Sequence, residues 1–309
     1  MNKIDVSFIF PLLNESENIE FSYNKINEIM KNTSFTHEFI YVDDGSTDNS
    51  SELIKQLCEK DKNVKLVSFS KNFGQQPASL AGIHHASGKC AINLDIDLEE
   101  DPSIILEMLK KWQEGYEIVT IKRKSRKESL LKRFFAWSYY KVLNMFGVKN
   151  IDNFAEFRLL DRKVIDVVDT LNEHNIFLKN QINWVGFKQT TLEADRTKRQ
   201  FGKTNYNFKK NLKVATKGIV SSTNKPLYFA FSLALLFLLS SIVSLISFII
   251  LAINGINIAA SLWLIPIILF CTGTTSLVLG FIGMYLAFTY DEVRNRPLYI
   301  IKEKVNFED

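Results

Sequence analysis

The chain has 309 residues, 46% of them hydrophobic and 23% charged, with a formal net charge of +4. These values suit a folded chain of one large or two medium domains, and so small a charge excess gives no reason to expect a nucleic-acid partner. The average hides a division: from Pro226 to Tyr290, 65 residues contain no Asp, Glu, Lys or Arg. That run is far longer than the 18 or so apolar residues that mark a membrane-spanning candidate.

The N-terminal part alternates two kinds of segment. "VSFIFPLL", "EFIYVDDGSTD", "VKLVSFS" and "CAINLDID" are β-branched and aromatic runs that end in polar residues. Between and after them lie helix-like segments at Ser16–Lys31, Thr47–Lys60, Gln75–Ser87 and Pro102–Glu114. Strands alternating with helices of this length predict βαβ units, an α/β fold and a mainly parallel sheet. In such sheets ligands bind beyond the carboxyl ends of the strands. The residues there are Asn14-Glu15, Asp43-Asp44, Asn72 and Asp95-Asp97, which topology would gather along one edge. The chain has no GxGxxG after its first strand and no GxxxxGK[ST], so dinucleotide and P-loop readings lose their main support.

Met1–Leu13 lacks the long apolar core and small-residue cleavage site of a signal peptide and reads as a first buried strand, which keeps this part in the cytoplasm. Cys58, Cys90 and Cys271 are widely separated and suit a reduced compartment. His37, His84, His85 and His174 show no ligand spacing with them and read as surface or packing residues.

Residues 117–133 carry the densest positive charge, and the aromatic run "FFAWSYYKVLNMF" follows. An interfacial helix is expected near 129–146. A second, amphipathic helix is expected over 206–225, with Phe208, Leu212, Ala215 and Ile219 on one face and Lys209, Lys210, Lys213 and Lys217 on the other. The apolar region divides at "INGINIAAS" into two predicted transmembrane helices, about 227–253 and 261–290, with Pro266 as a kink point. Lys225 precedes the pair and Arg294, Arg296, Lys302 and Lys304 follow it, so the positive-inside rule puts both flanks in the cytoplasm. Gly273, Gly280 and Gly283 suit close helix packing between subunits of a homo-oligomer. The domain reading is then 1–205 for the α/β domain, 206–225 and 226–290 for the membrane part, and a cytoplasmic C-terminal tail over 291–309.

Asp95 and Asp97 alternate with Ile96 at a strand end, so their side chains point the same way along an extended backbone. Two carboxylates among oxygen-rich neighbours suit a hard divalent cation held mostly by its substrate's phosphates. Five carboxylates crowd residues 95–101, and Glu100 and Asp101 lead into a helix at Pro102, where acidic groups suit the N-terminus.

"FPLLNESENI", "VDDGSTDNS", "NFGQQPASLAG" and "LDIDL" resemble the successive signatures of family 2 glycosyltransferases with the GT-A fold. "AEFRLLDRKVI", "RQFGKTNYN", the paired apolar helices and "YDEVRNRPLY" narrow this to the polyisoprenyl-phosphate glycosyltransferases, of the dolichol-phosphate mannose synthase and bacterial undecaprenyl-phosphate glucosyltransferase kind. The resemblance covers nearly the whole chain. It implies inverting transfer of a sugar from a nucleotide-sugar, UDP-linked by the bacterial resemblance, to a membrane polyprenyl phosphate. The product would be a lipid-linked donor for cell-envelope glycans, passed on by a flippase.

The resemblance also implies roles for residues. Pro11, Asn14, Glu15, Asp43, Asp44, Gly74 and Asp95 would border the nucleotide-sugar, and Asp95, Asp97 and Glu99 would hold Mg²⁺ or Mn²⁺. Arg123, Arg133 and Arg199 would meet the lipid phosphate, and Asp97, Glu156 and Arg158 would form the catalytic set. Glu156 stands where the family has an Asp suspected as base, yet the acceptor phosphate, with a second pKa of about 6, hardly requires one. Glu99 replaces a usual Gln, and Asn205 a usual Lys. A processive synthase would carry QxxRW, and "QINWVG" lacks the arginine. An inactive relative serving as a membrane scaffold is the non-enzymatic alternative.

Overall fold

The computed structural model describes residues 4–123, 154–171, 178–194, 260–294 and 296–307, with scattered positions between 242 and 254. The chain divides into two compact units. One holds Met1–Ala136, Ile151–Asn207 and Arg296–Asp309, and the other holds Trp137–Asn150 and Phe208–Asn295.

The first unit is built on β1 (Val6–Leu12), β2 (His37–Asp43), β3 (Val64–Phe69), β4 (Cys90–Asn93), β5 (Ile118–Arg123), β6 (Phe154–Asp161), β7 (Gln189–Ala194) and β8 (Ile301–Val305). Among the described residues they form one sheet in the order β7-β5-β6-β4-β1-β2-β3-β8. Four pairings are parallel, and three are antiparallel, two of them made by β6. The mainly parallel expectation therefore holds for the central β3-β2-β1-β4 block, which is parallel throughout.

Every residue of β1 is buried, which is why its sequence is apolar on both faces except at Ser7, whose hydroxyl donates to Glu38 Oε1. Alternate residues serve opposite faces. Phe8 and Phe10 pack with Phe39 and Tyr41 under α1 (Ser16–Met30), α2 (Ser50–Lys60) and α4 (Ile105–Gln113). Ile9, Ile40 and Val42 pack under α3 (Gln75–His84), α5 (Arg162–Val168) and α6 (Leu178–Trp184). Register places Phe10 beside Tyr41, and their rings stack at 5.0 Å. Offset aromatic pairs of this kind add roughly 0.5–1.5 kcal/mol beyond area burial. The result is a three-layer α/β/α unit whose parallel strands end together.

Part of the C-terminal tail expected over 291–309 has regular structure. Residues 301–305 are β8, antiparallel to β3 with Leu66 opposite Val305. "IKEKV" alternates apolar and charged residues, as an edge strand with one wet face requires. Glu303 reaches Lys55 of α2 at 2.7 Å.

The described part of the second unit is chiefly α7 (Ala260–Arg294), uninterrupted through Pro266. The hydroxyls of Thr272, Thr274, Thr275 and Thr289 each donate to the carbonyl four residues earlier, at 2.7–3.0 Å. Those polar groups are therefore satisfied inside the helix, as an apolar environment demands. Among the described residues, one stretch, Phe270–Arg294, is long and apolar enough to cross a membrane. The predicted 227–253 partner lies mostly outside the described residues, so a two-helix hairpin is not seen. The interfacial helices near 129–146 and over 206–225 also lie outside them.

Candidate active site

The carboxyl ends of β1, β2, β3 and β4 carry the predicted polar residues, and side chain–main chain bonds tie their loops together. Asn14 has a positive φ of 55°. Its Oδ1 accepts from the main-chain N–H of Thr47 at 2.8 Å and of Asp48 at 3.3 Å, and its own N–H donates to Ser46 Oγ at 2.9 Å. The β1 and β2 loops are thereby one piece. Pro11 lies within β1, and Glu15 accepts from Asn18 Nδ2 at 2.6 Å, at the start of α1.

Asp43 and Asp44 are 2% and 3% exposed. Asp43 accepts from the Ser46 N–H at 2.8 Å and from Ser68 Oγ at 3.3 Å. Asp44 accepts from the N–H groups of Phe73 and Gly74, at 2.6 and 2.8 Å, one on each oxygen. Burial pushes the Asp44 carboxyl above its ordinary pKa; the two N–H donors oppose this, and Asp43 beside it adds to the rise. Asp44 is thus the anchor of the loop that follows β3. Gly45, at φ +75°, passes so close to that loop that a Cβ would lie 2.5 Å from the Lys71 carbonyl carbon. Only glycine combines that backbone angle with that clearance.

Beyond β4, Asp95 accepts from Gln75 Nε2 at 2.9 Å, which joins the β4 end to the start of α3. Leu98 takes a positive φ of 45° and turns the chain, and the Glu99 N–H donates to Asp97 Oδ1 at 3.2 Å. Asp97, Glu99 and Glu100 are 6%, 7% and 3% exposed. Asp101 caps the 3-10 turn Pro102–Ile104 by accepting from the Ser103 N–H at 2.9 Å, the role its position before Pro102 predicts.

On β6, Arg158 is 2% exposed and its Nη2 donates to Glu156 Oε2 at 3.0 Å. The Asn93 Nδ2 of neighbouring β4 donates to the Glu156 carbonyl at 3.3 Å. Arg123 ends β5. Arg133, Arg199 and Asn205 lie outside the described residues. Gln75, Ser68 and Asn93 are members of this network that sequence reading passed over, because a neutral side chain at a strand end or helix start carries no signal until its partner is known.

Among the described residues no three His, Cys, Asp or Glu side chains gather as a metal-holding group. Asp95, Asp97 and Glu99 are therefore no ready-made cage. The oxygen-only donor set still fits a Mg²⁺-like ion, which is held by one or two carboxylates while substrate phosphates and water complete its shell.

Residues 7–171 match the family model described as glycosyl transferase family 2. The chain belongs to this family. The glycosyltransferase is 38% identical to the uncharacterized glycosyltransferase YkcC of Bacillus subtilis, over 99% of this chain and 96% of that one. It is 33% identical to the SfII prophage-derived bactoprenol glucosyl transferase of Shigella flexneri, over 96% of this chain and 97% of that one. Among solved structures, mannosyl-3-phosphoglycerate synthase from Rubrobacter xylanophilus superposes with a TM-score of 0.50 at 13% identity, covering 71% of this chain and 72% of that one. That likeness is one of fold and agrees with a GT-A-like sheet. The chain is an enzyme that transfers sugar, and the loop-tied carboxylate edge is its candidate active site.

Proposed function

We propose that this glycosyltransferase moves a sugar from a nucleotide-sugar, UDP-linked, to polyprenyl phosphate at the cytoplasmic face of a bacterial inner membrane. The observation that carries the reading is the reach of the similarity to the bactoprenol glucosyl transferase. It spans 96% of this chain, well past residue 171 where the family model ends. It therefore takes in the apolar segment that a purely soluble sugar transferase would not need. The same proposal includes a homo-oligomer set in membrane lipids, and a flippase that takes the lipid-linked product onward.

The chemistry follows from charge. An acceptor phosphate oxygen attacks the anomeric carbon as the bond to the nucleoside diphosphate breaks, with inversion. A Mg²⁺ or Mn²⁺ ion held by Asp97 with Asp95 or Glu99 would supply Lewis-acid neutralisation of the departing diphosphate. The loops fixed by Asn14, Asp43 and Asp44 would receive the nucleoside. The acceptor phosphate is already mostly dianionic at neutral pH, so no residue need remove its proton. Glu156 then serves by orienting Arg158, its partner at 3.0 Å, toward the reacting phosphates.

The test is a screen of nucleotide-sugars on membranes containing the chain or its Asp97→Ala variant, with polyprenyl-linked products read by mass. The expected result is one productive donor and about a 10²–10³-fold loss in Asp97→Ala, the scale of removing a transition-state charge partner. Silence of the unaltered chain with every donor would overturn the reading in favour of a membrane scaffold.

A further inference from the structure

The segment that follows α7 is tied to the loop that anchors on Asp44. Ile300 accepts from the Ser70 N–H at 2.9 Å, and the Tyr299 ring stacks on Phe69 with centroids 4.9 Å apart and planes 10° apart. Phe69 in turn meets Phe73 edge-on at 5.8 Å. Phe73 and Gly74 supply both N–H groups that hold Asp44, and the adjacent Gln75 donates to Asp95. The loop has little room to move, because Gly45 lies against the main chain of Lys71 and Asn72. From its other side Tyr299 is held by α3. Its hydroxyl lies 3.0 Å from His84 Nδ1, and His84 Nε2 lies 3.3 Å from Asp169 Oδ1. Neutral His84 satisfies both contacts when it donates from Nε2 to Asp169 and accepts at Nδ1 from the tyrosine.

We propose that Tyr299 is a positioning residue for the nucleotide side of the active site. By stacking on Phe69 it sets the 70–74 loop, and the loop sets Asp44 and, through Gln75, Asp95. The "YDEVRNRPLY" segment thereby gains a role in holding the nucleoside diphosphate, although Tyr299 itself need not touch it. The inference rests on the donor-site reading given above.

The test uses the full chain in detergent with UDP and the productive UDP-sugar as probes, comparing Tyr299→Ala with Tyr299→Phe. Tyr299→Ala is expected to raise the donor KM and the UDP dissociation constant at least five-fold, with the acceptor KM within two-fold and the folded fraction unchanged. Tyr299→Phe keeps the stack and is expected to remain within two-fold of the unaltered chain in all of these. Equal UDP affinity in Tyr299→Ala and the unaltered chain would overturn the inference and leave the donor-site reading standing. So would a fall in activity that merely tracks the folded fraction. Absence of UDP binding by the unaltered chain would remove the donor-site reading and the inference together.

Discussion

Arg158, one of the most deeply buried large side chains, reaches back along its own strand to Glu156 at 3.0 Å. Residues two apart on a strand share a face, and the pair keeps a guanidinium compensated inside the protein. The Glu156 carboxylate is the wetter partner, with 28% of its side chain exposed. Loss of the carboxylate leaves the buried cation without its partner, whereas an amide oxygen still accepts one hydrogen bond. Glu156→Ala is therefore expected to cost about 2 kcal/mol, below the full penalty for a wholly buried pair, and Glu156→Gln about half as much. Equilibrium unfolding of the two variants checks this. If Glu156 orients Arg158, Glu156→Gln retains more than a tenth of the transfer rate, while a required base would lose several orders of magnitude.

Glu38 makes the first unit sensitive to acid. It is 1% exposed, accepts from Ser7 Oγ, Ser87 N and Ser87 Oγ at 2.6, 2.8 and 2.8 Å, and pairs with Lys65 at 2.7 Å. Burial pushes its pKa up, but Lys65 and the serine donors outweigh this and hold it below the ordinary 4.5. A folded-state value below the unfolded one means the unfolded chain binds more protons in that interval. The stabilisation is thus present above pH 4.5 and is lost as pH falls through the lower folded value. Glu38→Gln is expected to cost about 2 kcal/mol at pH 7 and to lose less stability than the unaltered chain on acidification. Denaturant titrations at neutral and acid pH measure both.

Two glycines of the active-site loops separate backbone strain from collision. At Gly74, with φ +109°, an added Cβ meets nothing closer than Pro77 Cδ at 3.8 Å, so Gly74→Ala costs about 1–3 kcal/mol of conformational strain. At Gly45 the same kind of strain is joined by contacts of 2.5 and 2.8 Å with the main chain of Lys71 and Asn72. Gly45→Ala is expected to be the more damaging, lowering both the melting temperature and UDP affinity. Calorimetry with and without UDP distinguishes the two variants.

Glu99 is 7% exposed and its N–H donates to Asp97 Oδ1. If it lends charge to a cation beside Asp97, Glu99→Gln raises the half-saturating Mn²⁺ concentration several-fold with a smaller change in maximal rate. Activity titrated against Mg²⁺ and Mn²⁺ is the measurement, and superimposable curves would count against that role.

Strands β1 to β4 were readable in the chain because burial on both faces leaves a largely apolar signature, but β4 ends at Asn93 and the chain turns at Ile96-Asp97, where the Leu98 N–H donates to the Asp95 carbonyl at 3.2 Å, so the extended Asp95–Asp97 pair expected from the sequence is not observed. The helices between them were found to within a few residues. Thr47–Asn49 was expected to be helical, but Asn14 and Asp48 capture the N–H groups of Thr47, Asp48 and Ser50, and α2 starts at Ser50. The internal roles of the site residues were harder to see. Asp44 reads as a ligand-facing carboxylate, yet both its oxygens are taken by main-chain N–H groups. Strand β8 escaped notice because five residues of mild alternation carry little signal, and their partner strand lies at the other end of the chain.

That last pairing bears on how the protein is made. Leu66 leaves the ribosome long before Val305, with the whole apolar segment between them. Until β8 is synthesised, β3 presents an open row of main-chain donors and acceptors on a hydrophobic strand, a template for pairing with another nascent copy. Closing so long a loop makes this the most non-local step of the sheet, and non-local pairings form late. Chains released early, or stalled while the apolar segment is being handled, would carry a sheet whose border is the hydrophobic β3 in place of the charge-bearing β8. Residues 301–305 thus decide whether β3 is paired within its own chain or left open to a neighbouring copy.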